Sequence, residues 1–229
     1  MNKLVLVPLL CLVSSTAFGA DKYCAKDGTD VTVHIFGSSF GSEMQKRDFI
    51  RGMDAINGNL KVGDFLKILL HRPNGDYRVT LEACVPGCPD TSLVGSLTAE
   101  CSVQIAKKDR AGFNGKLVGS IKAAAKASSD GYNVFDDLVT LSDYYRGRRS
   151  DNQEIYVFHS LVPAGLVGDA TESSYDKAFV ELVQNQKALP EELPELSFVN
   201  SDTSKLNYEF WTDIQKLVRS GNMNFTTMD

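Results

Sequence analysis

Positive charge is in short supply in this chain: 24 Lys and Arg stand against 29 Asp and Glu, a net charge of -5. With a pI near 5.3, that balance excludes the basic footprint of a nucleic-acid binder. The one cationic cluster, Arg146, Arg148 and Arg149, reads as a solvated loop. Long apolar runs are lacking too. The ten residues Leu4 to Val13 fall well short of the roughly 20 that a bilayer span requires, and no later stretch comes closer. Phosphate-binding signatures are missing as well: GSSFGS at 37–42 has neither the third glycine of a dinucleotide fingerprint nor the Lys-Ser/Thr of a Walker A loop. No internal repeat and no low-complexity segment occurs.

What is there begins with an export segment. Lys3 gives a short positive region, Leu4 to Val13 an apolar one, and Ser14 to Ala20 small residues suited to cleavage, best after Ala17 or Gly19. Leu10 precedes Cys11 where lipidation would need a small residue. The expectation is a signal peptide over 1–20 and a soluble, periplasmic or secreted protein over 21–229. About 210 residues remain in it, enough for one domain with its own core. A hydrophobic content of 43% with 9% aromatics makes it globular rather than disordered.

Four cysteines follow the export segment: Cys24, Cys84, Cys88 and Cys101. An even number in an exported chain points to disulfides, with the pairing left open. The three-residue gap between Cys84 and Cys88 is the alternative, a zinc site, but no histidine lies nearby in sequence.

The chain is organised around Val31 to Asn59: a strand, VTVHIF, then the turn GSSFGSE, then the amphipathic helix MQKRDFIRGMDAINGN. Apolar residues on both sides of the strand suit a central position covered by helices on each face. Phe49, Met53, Ile56 and Leu60 form the buried stripe of the helix. Phe65 to His71 and Tyr77 to Ala83 are strands joined by the short turn RPNGD, which forces an antiparallel hairpin. CVPGCP ends the second of them, and a loop tied by Cys101 covers residues 90–104. Helices are expected over Lys107 to Ser129, with a stripe of Phe113, Leu117, Ile121 and Ala125, and around Phe135 to Tyr145. Strand Glu154 to Leu161, a helix over Tyr175 to Gln186, a Pro190 to Pro194 linker, strand Leu196 to Asn200 and a closing helix with Phe210 and Trp211 complete the order. This is an α/β domain: an open, doubly wound, mostly parallel sheet with one antiparallel edge strand and helices on both faces.

The apolar strand ending at Phe36, the FIRGMDAINGNLKVGDFLKI unit, EACVPGCP followed by Cys101, the EIYVFHSL strand and the terminal EFWTDIQKLVRSG helix together resemble the von Willebrand factor A-like fold. They are most similar to a group of exported bacterial A-like domains. Family members that bind metal use Asp-x-Ser-x-Ser after the first strand, a Thr from a later loop and an Asp after the fourth strand, since Mg²⁺ takes oxygen ligands in octahedral geometry. Here Gly37 stands at the first Asp position, Ser39 and Gly41 at the serine positions, and Ser160 where the last Asp would be. The resemblance therefore implies a protein-binding module without enzymatic activity and without a bound metal. Mg²⁺ would be retained only if Asp136, Asp137 or Asp169 rebuilt the site. The implied contact loops are Gly37 to Glu43, with Ser38, Ser39 and Ser42, and His159 to Asp169, with Ser160. The implied partner is another protein of an envelope, secretion or conjugation assembly.

The residues also allow a hydrolase reading. Gly37, Ser39 and Gly41 match G-x-S-x-G directly after a strand and before a helix, and His34 or His159 would serve as base. No acid in the sequence clearly completes that set. The simpler expectation is that Gly37, Ser38 and Ser39 form the turn, that a serine caps the helix, that His34 and His159 are core histidines, and that His71, next to a turn, faces solvent.

Overall fold

The computed structural model describes residues 20–40, 42–88, 101–127, 132–148, 151–162, 175, 177, 194–199, 209–213 and 223–226. Residues 1–19 of the signal peptide expected over 1–20, Gly41, the loop 89–100, Arg149, residues 163–169 including Asp169, most of the helix expected over 175–186 and the linker at Pro190 lie outside them. A 3-10 turn, Ala20–Tyr23, leads into strand β1 (Asp30–Ile35), a second 3-10 turn (Gly37–Phe40) and helix α1 (Glu43–Asn59). The hairpin β2 (Phe65–His71) and β3 (Tyr77–Cys84), helices α2 (Val103–Ala124) and α3 (Val134–Tyr145), and strands β4 (Gln153–Phe158), β5 (Leu196–Val199) and β6 (Met223–Thr226) follow.

The six strands among the described residues order as β3-β2-β1-β4-β5-β6. All neighbours are parallel except β2 with β3, the expected antiparallel edge. The hairpin is tight because Gly75 takes φ 82°, a left-handed conformation that a residue with a Cβ adopts at a cost. Gly75 N–H donates to the Arg72 carbonyl at 3.1 Å and Arg72 N–H to the Asp76 carbonyl at 2.8 Å.

Alternation along β1 divides the core. Val31, Val33 and Ile35 join Leu66, Ile68, Phe49, Met53 and Ile56 under α1 and α2. Phe36 joins Leu138, Tyr145, Val157, Phe198 and Trp211 on the other side. The helices cover both faces, as the apolar content on both sides of β1 predicts. On the first face α1 packs so close that a Cβ at Gly52 would lie 2.8 Å from the Phe158 ring and 2.9 Å from Val199.

Several expectations require correction. The cysteines pair as Cys24–Cys84 and Cys88–Cys101, so the zinc reading of Cys84 and Cys88 is set aside. The pairs mark an oxidising environment, and no described helix is long and apolar enough to cross a membrane. Helix α2 starts at Val103, capped by Ser102, inside the segment expected to be loop. Its buried positions are Ala106, Phe113, Leu117, Ser120 and Ala124: a strict spacing of four drifts off the face, because a turn holds 3.6 residues. Strand β4 ends at Phe158, so His159 to Leu161 begin the loop rather than close the strand. Strand β6 was not anticipated; it adds a parallel strand beyond β5. His71 is 1% exposed rather than solvent-facing.

Candidate functional site

In this topology the connections leave β1 towards β2 and β4 towards β5, so the crevice at the carboxyl ends of β1 and β4 is the switch point where α/β sheets bind ligands. The two strand ends are joined there by Phe36 N–H donating to the Phe158 carbonyl at 3.0 Å. On the β1 side the chain turns through Gly37–Phe40, closed by Ser39 N–H to the Phe36 carbonyl at 3.1 Å. Ser39 is fully buried. The Ser38 hydroxyl is enclosed, with no hydrogen-bond partner among the described residues. Ser42 is the N-cap of α1, its hydroxyl accepting from Gln45 N–H at 3.1 Å, which is the capping role expected of a serine in this turn.

On the β4 side His159 and Ser160 are both buried. His159 Nε2 lies 3.0 Å from Asp137 Oδ2 of α3, and Leu161 N–H donates to His159 Nδ1 at 2.8 Å. A nitrogen that accepts carries no proton, so Nε2 is the protonated one and donates to the carboxylate. Burial raises the Asp137 pKa, and the hydrogen bond from His159 works against that rise. Leu161 itself sits at φ 56°, strained for a branched side chain. It is held there by its own buried side chain, by the bond to His159, and by the Trp211 indole N–H, which donates to its carbonyl at 2.7 Å.

The histidines of β1 and β2 form a second network on the same face. Register places Ile35 beside Leu70, hence Phe36 beside His71, and their rings stack at 4.2 Å. His34 Nδ1 is 2.8 Å from His71 Nε2, and His34 Nε2 is 2.7 Å from the Tyr145 hydroxyl. With the Tyr145 hydroxyl donating, the polarity runs Tyr145, His34, His71. It ends at His71 Nδ1, which is buried with no partner among the described residues. Burial, followed by the neighbouring His71, lowers the His34 pKa well below that of a free imidazole. Burial, followed by His159, lowers His71 to about 3. Both rings are therefore neutral at physiological pH. Tyr132 ties this network to the turn: its hydroxyl donates to the His71 carbonyl at 2.8 Å and lies beside the Gly37 backbone.

The structure thus gathers Gly37, Ser38, Ser39, His159 and Ser160 at one crevice and leaves Ser42 on its exposed rim. His71, Tyr132, Tyr145, Leu161 and Trp211 belong to the same assembly and escaped the sequence reading. A partial signal for His71 was alternation within its strand, which puts it on the face of Leu69, itself fully buried. Among the described residues Asp137 is the carboxylate that reaches the crevice, and its partner is His159; Asp136 is exposed. Among the described residues no group of three or more His, Cys, Asp or Glu is placed to hold a metal. A cleft of about 320 Å³, lined by Thr29, Leu60, Lys61, Asp64, Glu154 and Tyr156 among others, opens at the opposite, amino end of the strands. The chain matches no protein-family model and no curated protein.

Proposed function

We propose that this chain is an exported, A-like protein-interaction module without enzymatic activity, presenting the loops at the carboxyl ends of β1 and β4 to another protein of the cell envelope. One observation carries the reading: both ring nitrogens of His34 and of His159 are already engaged inside the protein. A general base needs a free lone pair within reach of the hydroxyl it activates. The turn after β1 also brings no carboxylate before Glu43, which lies in the first turn of α1. What the crevice presents outward is a capped helix end, with Ser42 and Glu43 exposed and Met44 65% exposed, a surface suited to contact rather than to chemistry. The two disulfides agree with work outside the reducing cytoplasm. The test is capture from envelope extracts under mild crosslinking. Recovery of a partner by the native chain, and its loss on Met44→Asp, supports the module; no partner for the native chain counts against it.

A second reading, serine hydrolysis at Ser39, draws on the His159–Asp137 pair, which supplies the acid that the sequence did not reveal. It would require Leu161 N–H to release His159 Nδ1. Labelling by a fluorophosphonate probe, abolished in Ser39→Ala, would favour it; no labelling would end it.

A further inference from the structure

The free side of the sheet carries a surface separate from the switch point. Among the described residues β3 is an edge strand, and an open edge is a template for another strand unless something guards it. Its second half is guarded. The Thr80 carbonyl accepts from the Ser120 hydroxyl of α2 at 3.0 Å, and Cys84 is bonded to Cys24 next to the leading 3-10 turn. Its first half, Tyr77 to Val79, is exposed.

The hydrogen-bond pattern shows which main-chain groups point outwards there. Arg72 and Asp76 form the closing hydrogen-bonded pair of the hairpin. Strict alternation in an antiparallel ladder then makes His71 with Tyr77 a non-bonded pair, Leu70 with Arg78 a bonded pair, and Leu69 with Val79 non-bonded. The N–H and C=O groups of Tyr77 and Val79 therefore face away from β2. Their side chains, 43% and 40% exposed, offer an aromatic and a β-branched residue for cross-strand pairing. The bulge between Ile68 and Leu69, which leaves Thr80 unmatched, ends this regular stretch.

We infer that the Tyr77–Val79 edge of β3 is a docking site for an extended, acidic segment of another protein, which adds to the sheet as a further antiparallel strand. Charge selects the occupant. The chain as a whole is negative, yet Arg78 lies at the centre of the open edge, and neither it nor Arg72 takes part in an ion pair among the described residues. On the other face of the added strand, the Arg148 guanidinium lies 4.8 Å from the Tyr144 ring centroid, and that ring is 5.5 Å from Tyr77. Asp76, held by Asn74, is the nearest acid along the hairpin. A second copy of the chain is a poor occupant. Pairing Tyr77 with Val79 across a two-fold axis sets Arg78 directly against its own equivalent, and like charges in that position destabilise. An acid opposite Arg78 is attracted instead.

The probe is a fluorescein-labelled peptide, Ser-Thr-Val-Glu-Val-Thr-Ser, titrated into the full oxidised chain, alongside its counterpart with Lys at the centre. The Glu peptide should bind more tightly by roughly fivefold. Arg78→Glu, a change at an exposed site, should reverse that order. Val79→Pro removes an outward N–H without breaking the ladder to β2 and should lose both peptides. Independently of any variant, saturation with the Glu peptide should slow hydrogen exchange at the Tyr77 and Val79 amides. Equal affinity for the two peptides, no saturable binding, or unchanged exchange at these amides would overturn the inference. A concentration-dependent dimer abolished by Val79→Pro would assign the edge to a second copy and overturn it equally. Neither result touches the switch-point reading, which is probed at Met44.

Discussion

The two faces of the sheet are built on different principles. Under α1 and α2 the core is Val31, Val33, Ile35, Leu66, Ile68, Phe49 and Met53, apolar side chains packed against one another. Under α3 the same strand contributes Thr32, His34 and Phe36, and burial there comes with a chain of hydrogen bonds through Tyr145, His34 and His71 and another through Asp137, His159, Leu161 and Trp211. The difference is instructive. Apolar packing is non-directional and roughly additive in area, so the first face tolerates rearrangement. A buried polar network works only with every member in place, so the second face holds one geometry, and it is the face from which His159 and Leu161 reach the switch point.

Truncation on the packed face should give the largest single effect. Phe49→Ala removes a fully buried ring that meets Phe40 and Phe158 edge to face and should cost about 3–5 kcal/mol in urea unfolding. That loss should be the same at pH 5 and pH 7. A pH-dependent loss would break the contrast between the faces.

Next comes His34→Leu, similar in bulk but without nitrogens. It leaves Tyr145 and His71 each lacking a buried partner and should cost about 2–3 kcal/mol, read by the same unfolding measurement. A neutral or stabilised variant would show that the network holds no stability beyond its packing.

Acid sensitivity is graded: for each histidine, one pH unit costs less than either substitution. His34 and His71 have folded pKa values lowered by burial, so below about pH 6.5 the unfolded chain binds protons that the folded chain refuses. Stability should therefore fall as pH drops from about 6.5 towards 3, by at most about 1.4 kcal/mol per pH unit for each histidine. Asp137, whose carboxyl is raised by burial, has the opposite sign and offsets part of the fall near the carboxylate range. Thermal melts between pH 7 and pH 4.5 should show a shallower pH dependence for His71→Gln than for the native chain; equal slopes would remove His71 from the account.

Smallest of all is Ser42→Ala, at the rim and outside both networks. Losing the cap of α1 should cost about 1 kcal/mol, seen as a modest drop in melting temperature with both faces otherwise unchanged.

Much of this was legible in the sequence. The short RPNGD link dictated the hairpin, and the apolar stripe through Phe49, Met53 and Ile56 dictated the face of α1. The turn after β1 and its capping serine also follow from local chemistry. The polar side was not legible, because its partners are far apart in the chain: His34 meets His71 across 37 residues and Tyr145 across 111. His71 was misplaced for that reason. Beside a turn, a histidine reads as exposed until parallel register sets it against Phe36. Strand β6 escaped because its pairing with β5 is wholly non-local.

The sequence by itself determined the class of fold and the antiparallel edge, since period, turn length and composition act over a few neighbouring residues. Only the tertiary structure decided which cysteines pair, which carboxylate reaches His159, that the histidine nitrogens are already engaged, and which half of β3 stays open. Each of these depends on where distant segments cross the sheet, and no local propensity encodes that.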